Sequence, residues 1–234
     1  MDNNLLRIKI YERLNKLSSF DYDNIECWQI VEAFNKAQIE FVRRQVHVLP
    51  SNPTSGDEAS KMQIDDLQKI LLSVPITASK RDLFYETELI PEDYLYFKRV
   101  SLKGEKDCCP GRSMTVYLDE AADVDNLLSD EFKKPSWEWG ETFCTLQSNR
   151  IRIYTNNQFD IANPVLTYYR KPRLVEFLGC VNPSTGIAAT ADVECEFKDD
   201  VAELIVNGAV AILGGDFESF NQSTRAQMNQ GMQD

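Results

Sequence analysis

Residues Asn163–Phe177 read NPVLTYYRKPRLVEF. An apolar, β-branched and aromatic run from Val165 to Tyr169 stops at two cations and a proline. Such side chains suit a pleated, half-buried surface, so the run predicts a strand. Pro172 has no backbone N–H and closes pairing on its side, which puts Arg170 and Lys171 at the rim of a sheet. Those cations are either ordinary solvated charges or contacts to the carboxylate-rich surface of a neighbouring copy.

Working back toward the N-terminus, four more runs share this character: DYLYFKRVSLKG (93–104), RSMTVYLD (112–119), ETFCTLQS (141–148) and RIRIYTN (150–156). Turn signals separate them at Lys103-Gly104, Pro110-Gly111 and Ser148-Asn149. The last is short enough for a two-residue hairpin. A short helix is expected at Ala121–Ser129. The middle of the chain, residues 91–191, therefore reads as an antiparallel β unit of about five strands.

The flanks read as helices. Ile25, Trp28, Val31, Phe34, Phe41 and Val42 recur at helical spacing, with Asp21 or Asp23 as a cap. A loop with Pro50 and Pro53 follows. A second helix is expected over Glu58–Leu72, with Ile64, Leu67 and Leu71 on one face and Pro75 as its stop. Helical period returns at Asp199, with Phe197, Val201, Leu204, Ile205 and Ile212 on a shared face. Glu194, Glu196, Asp199 and Asp200 suit the positive end of that helix, and Gly214-Gly215 suit its C-terminal end. The polar residues beyond them hold two aromatics, Phe217 and Phe220. The expected fold is α+β: a helical bundle from residues 1–90 and 192–234, with the β unit inserted between.

The formal net charge is −12, from 37 acids and 25 bases. Such an excess disfavours a surface that grips nucleic acid through its phosphates. The longest apolar run, Leu204–Leu213, is too short to span a bilayer and holds Asn207 and Gly208. The first seventeen residues lack the apolar core of a signal peptide, so no membrane partner and no secretion are expected. Six cysteines lie scattered without a CxxC spacing and read as free thiols; the vicinal Cys108-Cys109 pair reads as a loop.

Little in the chain points to catalysis. One histidine, His47, stands at a helix end and leaves almost no material for a Cys/His metal site or a His-dependent triad. Asp65-Asp66 are helix neighbours and diverge by about 100°. The acids of Asp119–Asn126 miss the glycine and glutamate of a calcium loop. No phosphate-loop or dinucleotide fingerprint occurs. No catalytic residue, cofactor or metal is assigned. Trp137 and Trp139, two apart, would face one side of an extended chain. They could stack a sugar, or serve a core or a subunit contact.

Taken in order, four stretches resemble a known family. They are WQIVEAFNKAQIEFVRRQ (28–45), LIPEDYLYFKRVSLKG (89–104), KPSWEWGETF (134–143) leading to IRIYTN and VLTYYRKP, and FKDDVAELIVNGAVAIL (197–213) followed by a polar tail. Their joint order is similar to the head-to-tail connector proteins of short-tailed bacteriophages, also called adaptor or ring proteins, those of crAss-like phages in particular. The resemblance implies a structural protein of the virion neck, made in the host cytoplasm and not an enzyme. It implies a homo-oligomeric ring of about twelve copies that meets the portal protein and a neighbouring neck or tail protein, with packaged DNA passing through unbound. On that reading Trp137, Trp139, Arg170, Lys171, Phe217 and Phe220 are subunit or portal contacts. The alternative is a non-catalytic carbohydrate- or peptide-binding module built on the Trp-bearing β domain. A two-carboxylate glycosidase finds no pair of acids here.

Overall fold

The computed structural model describes residues 1–17, 25–47, 65–106 and 109–217. The chain divides into two compact units, one of residues 70–171 and one of residues 1–69 with 172–234.

The first is a single sheet of eight strands: β1 (Leu71–Pro75), β2 (Ala78–Lys80), β3 (Phe84–Thr87), β4 (Tyr94–Lys106), β5 (Cys109–Leu118), β6 (Glu141–Gln147), β7 (Arg150–Tyr154) and β8 (Asp160–Arg170). Their order is β1-β8-β4-β5-β6-β7-β3-β2. All neighbours are antiparallel except β5 and β6, which run parallel from Thr115 beside Glu141 to Leu118 beside Cys144. The crossover between that pair, residues 119–140, holds a 3₁₀ turn and the short helix α3 (Val124–Ser129), numbered after α1 and α2 below.

The sheet curls, and the connectivity explains why. β1 and β2 are its two edges, yet only Ile76 and Thr77 separate them. Three Cα steps reach at most about 11 Å, whereas eight strands laid flat would span about 34 Å. The corner stays bonded on both sides: Ile76 N–H donates to Pro164 O at 2.9 Å, and Thr77 O accepts the Glu88 N–H at 3.1 Å. The concave face encloses a core of Val100, Leu102, Met114, Cys144, Ile151, Ile153, Leu166 and Tyr168, with Ile90 and Phe159. Burial, and then the Asp119 carboxylate, push the Cys144 thiol up to about 12. Asn163 (φ 49°) and Pro164 sit where the β4–β8 register slips, so the missing N–H falls at a bulge. Ser148 and Asn149 (φ 53° and 57°) make the expected tight hairpin.

In the other unit, α1 (Asn3–Leu17) and α2 (Cys27–His47) accompany α4 (Asp199–Phe217). α2 buries Ile30, Ala33, Phe34, Ala37, Gln38, Phe41 and Val42, spaced three and four apart. Against it α4 buries Val201, Ala202, Ile205, Val206, Ala209, Val210 and Leu213. A Cβ on Gly208 would lie 3.3 Å from the Ala37 Cβ, so small residues set the closeness of these two helices. On α1, Leu6, Ile10 and Leu14 are buried at spacing four, and Lys9 and Arg13 both pair with Glu203 of α4.

The expected fold class and several local expectations are corrected. The structure is dominated by a curled, mixed eight-stranded sheet rather than a helical bundle with a small antiparallel insert. Of the region read as a helix, Glu58–Leu72, residues 65–67 are helical and Gln68–Ile70 are 3₁₀, and the correction lies at its end, where β1 starts at Leu71; residues 58–64 lie outside the described ones. Pro75, read as a helix stop, ends an edge strand, where a proline is tolerated. Pro110-Gly111 and Gly104 lie within strands, and Cys108 and the Asp21 or Asp23 cap lie outside the described residues. α4 runs through Gly214-Gly215 to Phe217. Cys27 and Cys180, expected as free thiols, form a disulfide with Cα atoms 5.9 Å apart, while Cys144 and Cys195 are free.

Leu204, expected in the core with Trp28, Phe34 and Ile205, is 55% exposed. Truncation should separate these positions. We predict that Phe34→Ala lowers stability by about 3–5 kcal/mol and Leu204→Ala by no more than about 0.5 kcal/mol, measured by urea unfolding. Equal losses at both would place the buried face of α4 elsewhere.

Candidate functional site

The segment after β8, residues 172–193, folds back on itself and lies along α2. Glu176 and Val193 exchange backbone bonds of 3.2 and 2.9 Å, and Gly179 N–H reaches Ala189 O at 2.9 Å. Gly179 and Gly186, at φ 77° and 67°, supply the left-handed turns. Three devices fix the segment. The Asn35 carboxamide donates to Val175 O at 3.1 Å and accepts Val175 N–H at 2.8 Å, imitating a strand partner. Asn3 donates to Glu176 O at 2.9 Å and to the Asp192 carboxylate at 3.0 Å. The disulfide joins Cys180 to the first residue of α2 and closes a 153-residue separation, worth about 5 kcal/mol in the chain-entropy account. The Leu178 N–H, and then Asn3, hold the Asp192 carboxyl below its ordinary range. That contribution is present at neutral pH and fades as the carboxyl is protonated on acidification.

Between this segment and the outer face of α2 runs a groove of about 960 Å³. Its apolar wall includes Trp28, Val31, Ile39, Leu174 and Ile187. Leu174 and Ile187 are 55% and 68% exposed, and Leu178 and Val181 beside them are also open to solvent. The charged lining is Glu32, Lys36, Glu40 and Glu176. The groove holds no nucleophile–base pair, and among the described residues no group of three metal-binding side chains occurs.

The sheet unit carries exposed aromatic side chains on the β5–β6 crossover. Phe132 is 85% exposed and Trp139 72%. Tyr117, also exposed, donates to Glu141 Oε1 at 3.3 Å. The Phe132 turn is rigid: Asp130 Oδ1 accepts the Phe132 N–H at 2.9 Å, and Asp130 O accepts those of Lys133 and Lys134 at 3.3 and 2.9 Å.

The paired-tryptophan expectation is corrected. Residues 137–140 form a turn, closed by Gly140 N–H on Ser136 O at 3.0 Å with Gly140 at φ 73°, and the two indoles have different environments. Trp137 is half-buried against the sheet core, with Lys106 and Arg112 5.8 and 5.6 Å from its ring centre; Trp139 points to solvent. A stacking platform needs both on one side of an extended strand. Arg170 ends β8 opposite Tyr94, and its guanidinium donates to Lys171 O at 3.0 Å. Lys171 donates its backbone N–H to Asp93 O at 2.7 Å and its Nζ to Glu92 O at 3.2 Å, so it also pins the loop before β4. Phe217 is the last residue of α4, His47 the last of α2, and Phe220 lies outside the described residues.

The groove went unread because Leu174, Val175 and Phe177 follow a proline with no regular period. The signal for the crossover was Phe132 itself, a large aromatic between Glu131 and Lys133.

Comparison with protein-family models and with curated proteins finds no match for this chain. No helix of the described residues is long and apolar enough to cross a membrane.

If Asn35 is what holds the groove wall, Asn35→Ala should destabilise by about 1–3 kcal/mol, the cost of leaving backbone groups unpaired. It should also speed hydrogen exchange at the Val175 amide more than at sheet amides such as Ile153. Unchanged exchange at Val175 would assign the wall's position to the disulfide alone.

Proposed function

We propose that this chain is a non-catalytic structural protein that assembles into a ring, and that the ring is a head-to-tail connector of a short-tailed bacteriophage neck. The observation that carries the assembly reading is the pair of unlike apolar surfaces, the groove wall on one unit and the Phe132–Trp139 crossover on the other. Soluble monomers seldom expose such patches without a use. A closed ring of identical copies built head to tail needs two different complementary faces on each subunit. An isologous dimer needs only one.

The phage assignment comes from the sequence resemblance. Its partners on this reading are further copies, about twelve to a ring, the portal protein, and a neighbouring neck or tail protein. DNA passes through without specific binding. A net charge of −12 suits a channel wall that does not hold phosphates. A disulfide persists in a particle that works outside the reducing cytoplasm.

The mass of the purified protein, alone and mixed with its portal protein, tests this. Assembly to a closed ring, or recruitment to the portal in a fixed stoichiometry, is the expected result, together with no binding of duplex DNA at physiological salt in an anisotropy titration. A protein that stays monomeric with the portal present, or that binds duplex DNA tightly and in a salt-sensitive way, would overturn it.

A further inference from the structure

We propose that the groove beside α2 receives the Phe132 turn of a neighbouring copy, an inference that rests on the ring reading above. The two surfaces complement each other in polarity and charge. Of the four charged residues lining the groove, Glu32, Glu40 and Glu176 are acidic and Lys36 is basic, a net charge of −2. None of the three carboxylates has an ion-pair partner among the described residues. The turn presents a phenylalanine 85% exposed, followed directly by Lys133 and Lys134. Asp130, which accepts the Phe132 N–H, and Glu131 balance the two lysines in number, so the cations are set apart by position: both follow the phenylalanine and both acids precede it.

An aromatic side chain entering an apolar cleft is the usual anchor of a protein interface. Lysine stems can lie along the walls while their ammonium groups reach the rim carboxylates. Both partners are shaped before they meet. Asp130 fixes the turn, and Asn35 with the Cys27–Cys180 disulfide fixes the groove wall. Little ordering is then lost on contact. Turn and groove belong to different surfaces, so each contact leaves one free turn and one free groove, and only closure satisfies them all.

A photo-crosslinking residue, p-benzoylphenylalanine, placed at position 132 of the full chain tests the contact. Irradiation of the assembled protein, with the portal present where assembly requires it, should give copy-to-copy crosslinks within residues 28–40 or 174–190. Crosslinks to other regions, to the portal, or to nothing in an assembled ring overturn this contact and leave the ring reading standing. Failure of the chain to associate under any condition removes both. Charge reversal gives an independent reading. Lys133→Glu with Lys134→Glu should weaken self-association about tenfold. Adding Glu32→Lys and Glu40→Lys to the same chain should restore it, and Glu131→Lys alone should tighten it. Loss without restoration overturns the pairing of these two surfaces.

Discussion

Between β1 and β2 the chain has only Ile76 and Thr77 in which to pass from one edge of an eight-stranded sheet to the other. The hydrogen bonds to Pro164 and Glu88 hold that corner in place, so the sheet must curl. Curling encloses one face and gives Val100, Leu102, Ile151, Ile153 and Leu166 a common interior. It also fixes where the rest can go. β5 and β6 lie side by side and parallel, so the chain must leave the sheet and return over residues 119–140. That crossover carries Phe132 and Trp139, both exposed to solvent.

The five longer strands were legible in the sequence, since their β-branched and aromatic runs and the Ser148-Asn149 turn are local signals. α2 was legible for the same reason, its apolar positions recurring cleanly every three and four residues. β1 to β3 were not. They are short, two of them are edges, and the first follows residues with helical spacing and ends in a proline. Their identity depends on pairing with β8 and β7, far away in the chain. On α4 almost every residue from Val201 to Leu213 is apolar or small, so hydropathy could not say which side is buried. Tertiary packing decides it: Val201, Ala202, Ile205, Val206, Ala209, Val210 and Leu213 are buried and Leu204 is left outside. α1 went unread although Leu6, Ile10 and Leu14 repeat every four residues.

Of the candidate site, the sequence named the region around Trp137 and Trp139 but gave both the same environment. The groove could not be read at all. Its wall is irregular chain, positioned by a side-chain amide, a disulfide across 153 residues and an asparagine near the N-terminus. Each of those links joins residues that only the fold brings together. The wall is therefore firm despite having almost no regular secondary structure, and firmness is what an exposed apolar surface needs to select a partner.

On the reading proposed above, two unlike surfaces of one chain join its copies head to tail. Two variants, each lacking one surface, test it most directly. Phe132→Asp removes the turn's anchor, and Ile187→Asp places a charge in the groove wall. Neither variant should assemble alone under conditions where the unmodified chain does. Mixed, they should form a one-to-one pair, seen by analytical ultracentrifugation, and grow no further, because one intact turn meets one intact groove and both spare surfaces are spoiled. No pair in the mixture, or rings from either variant alone, would contradict it.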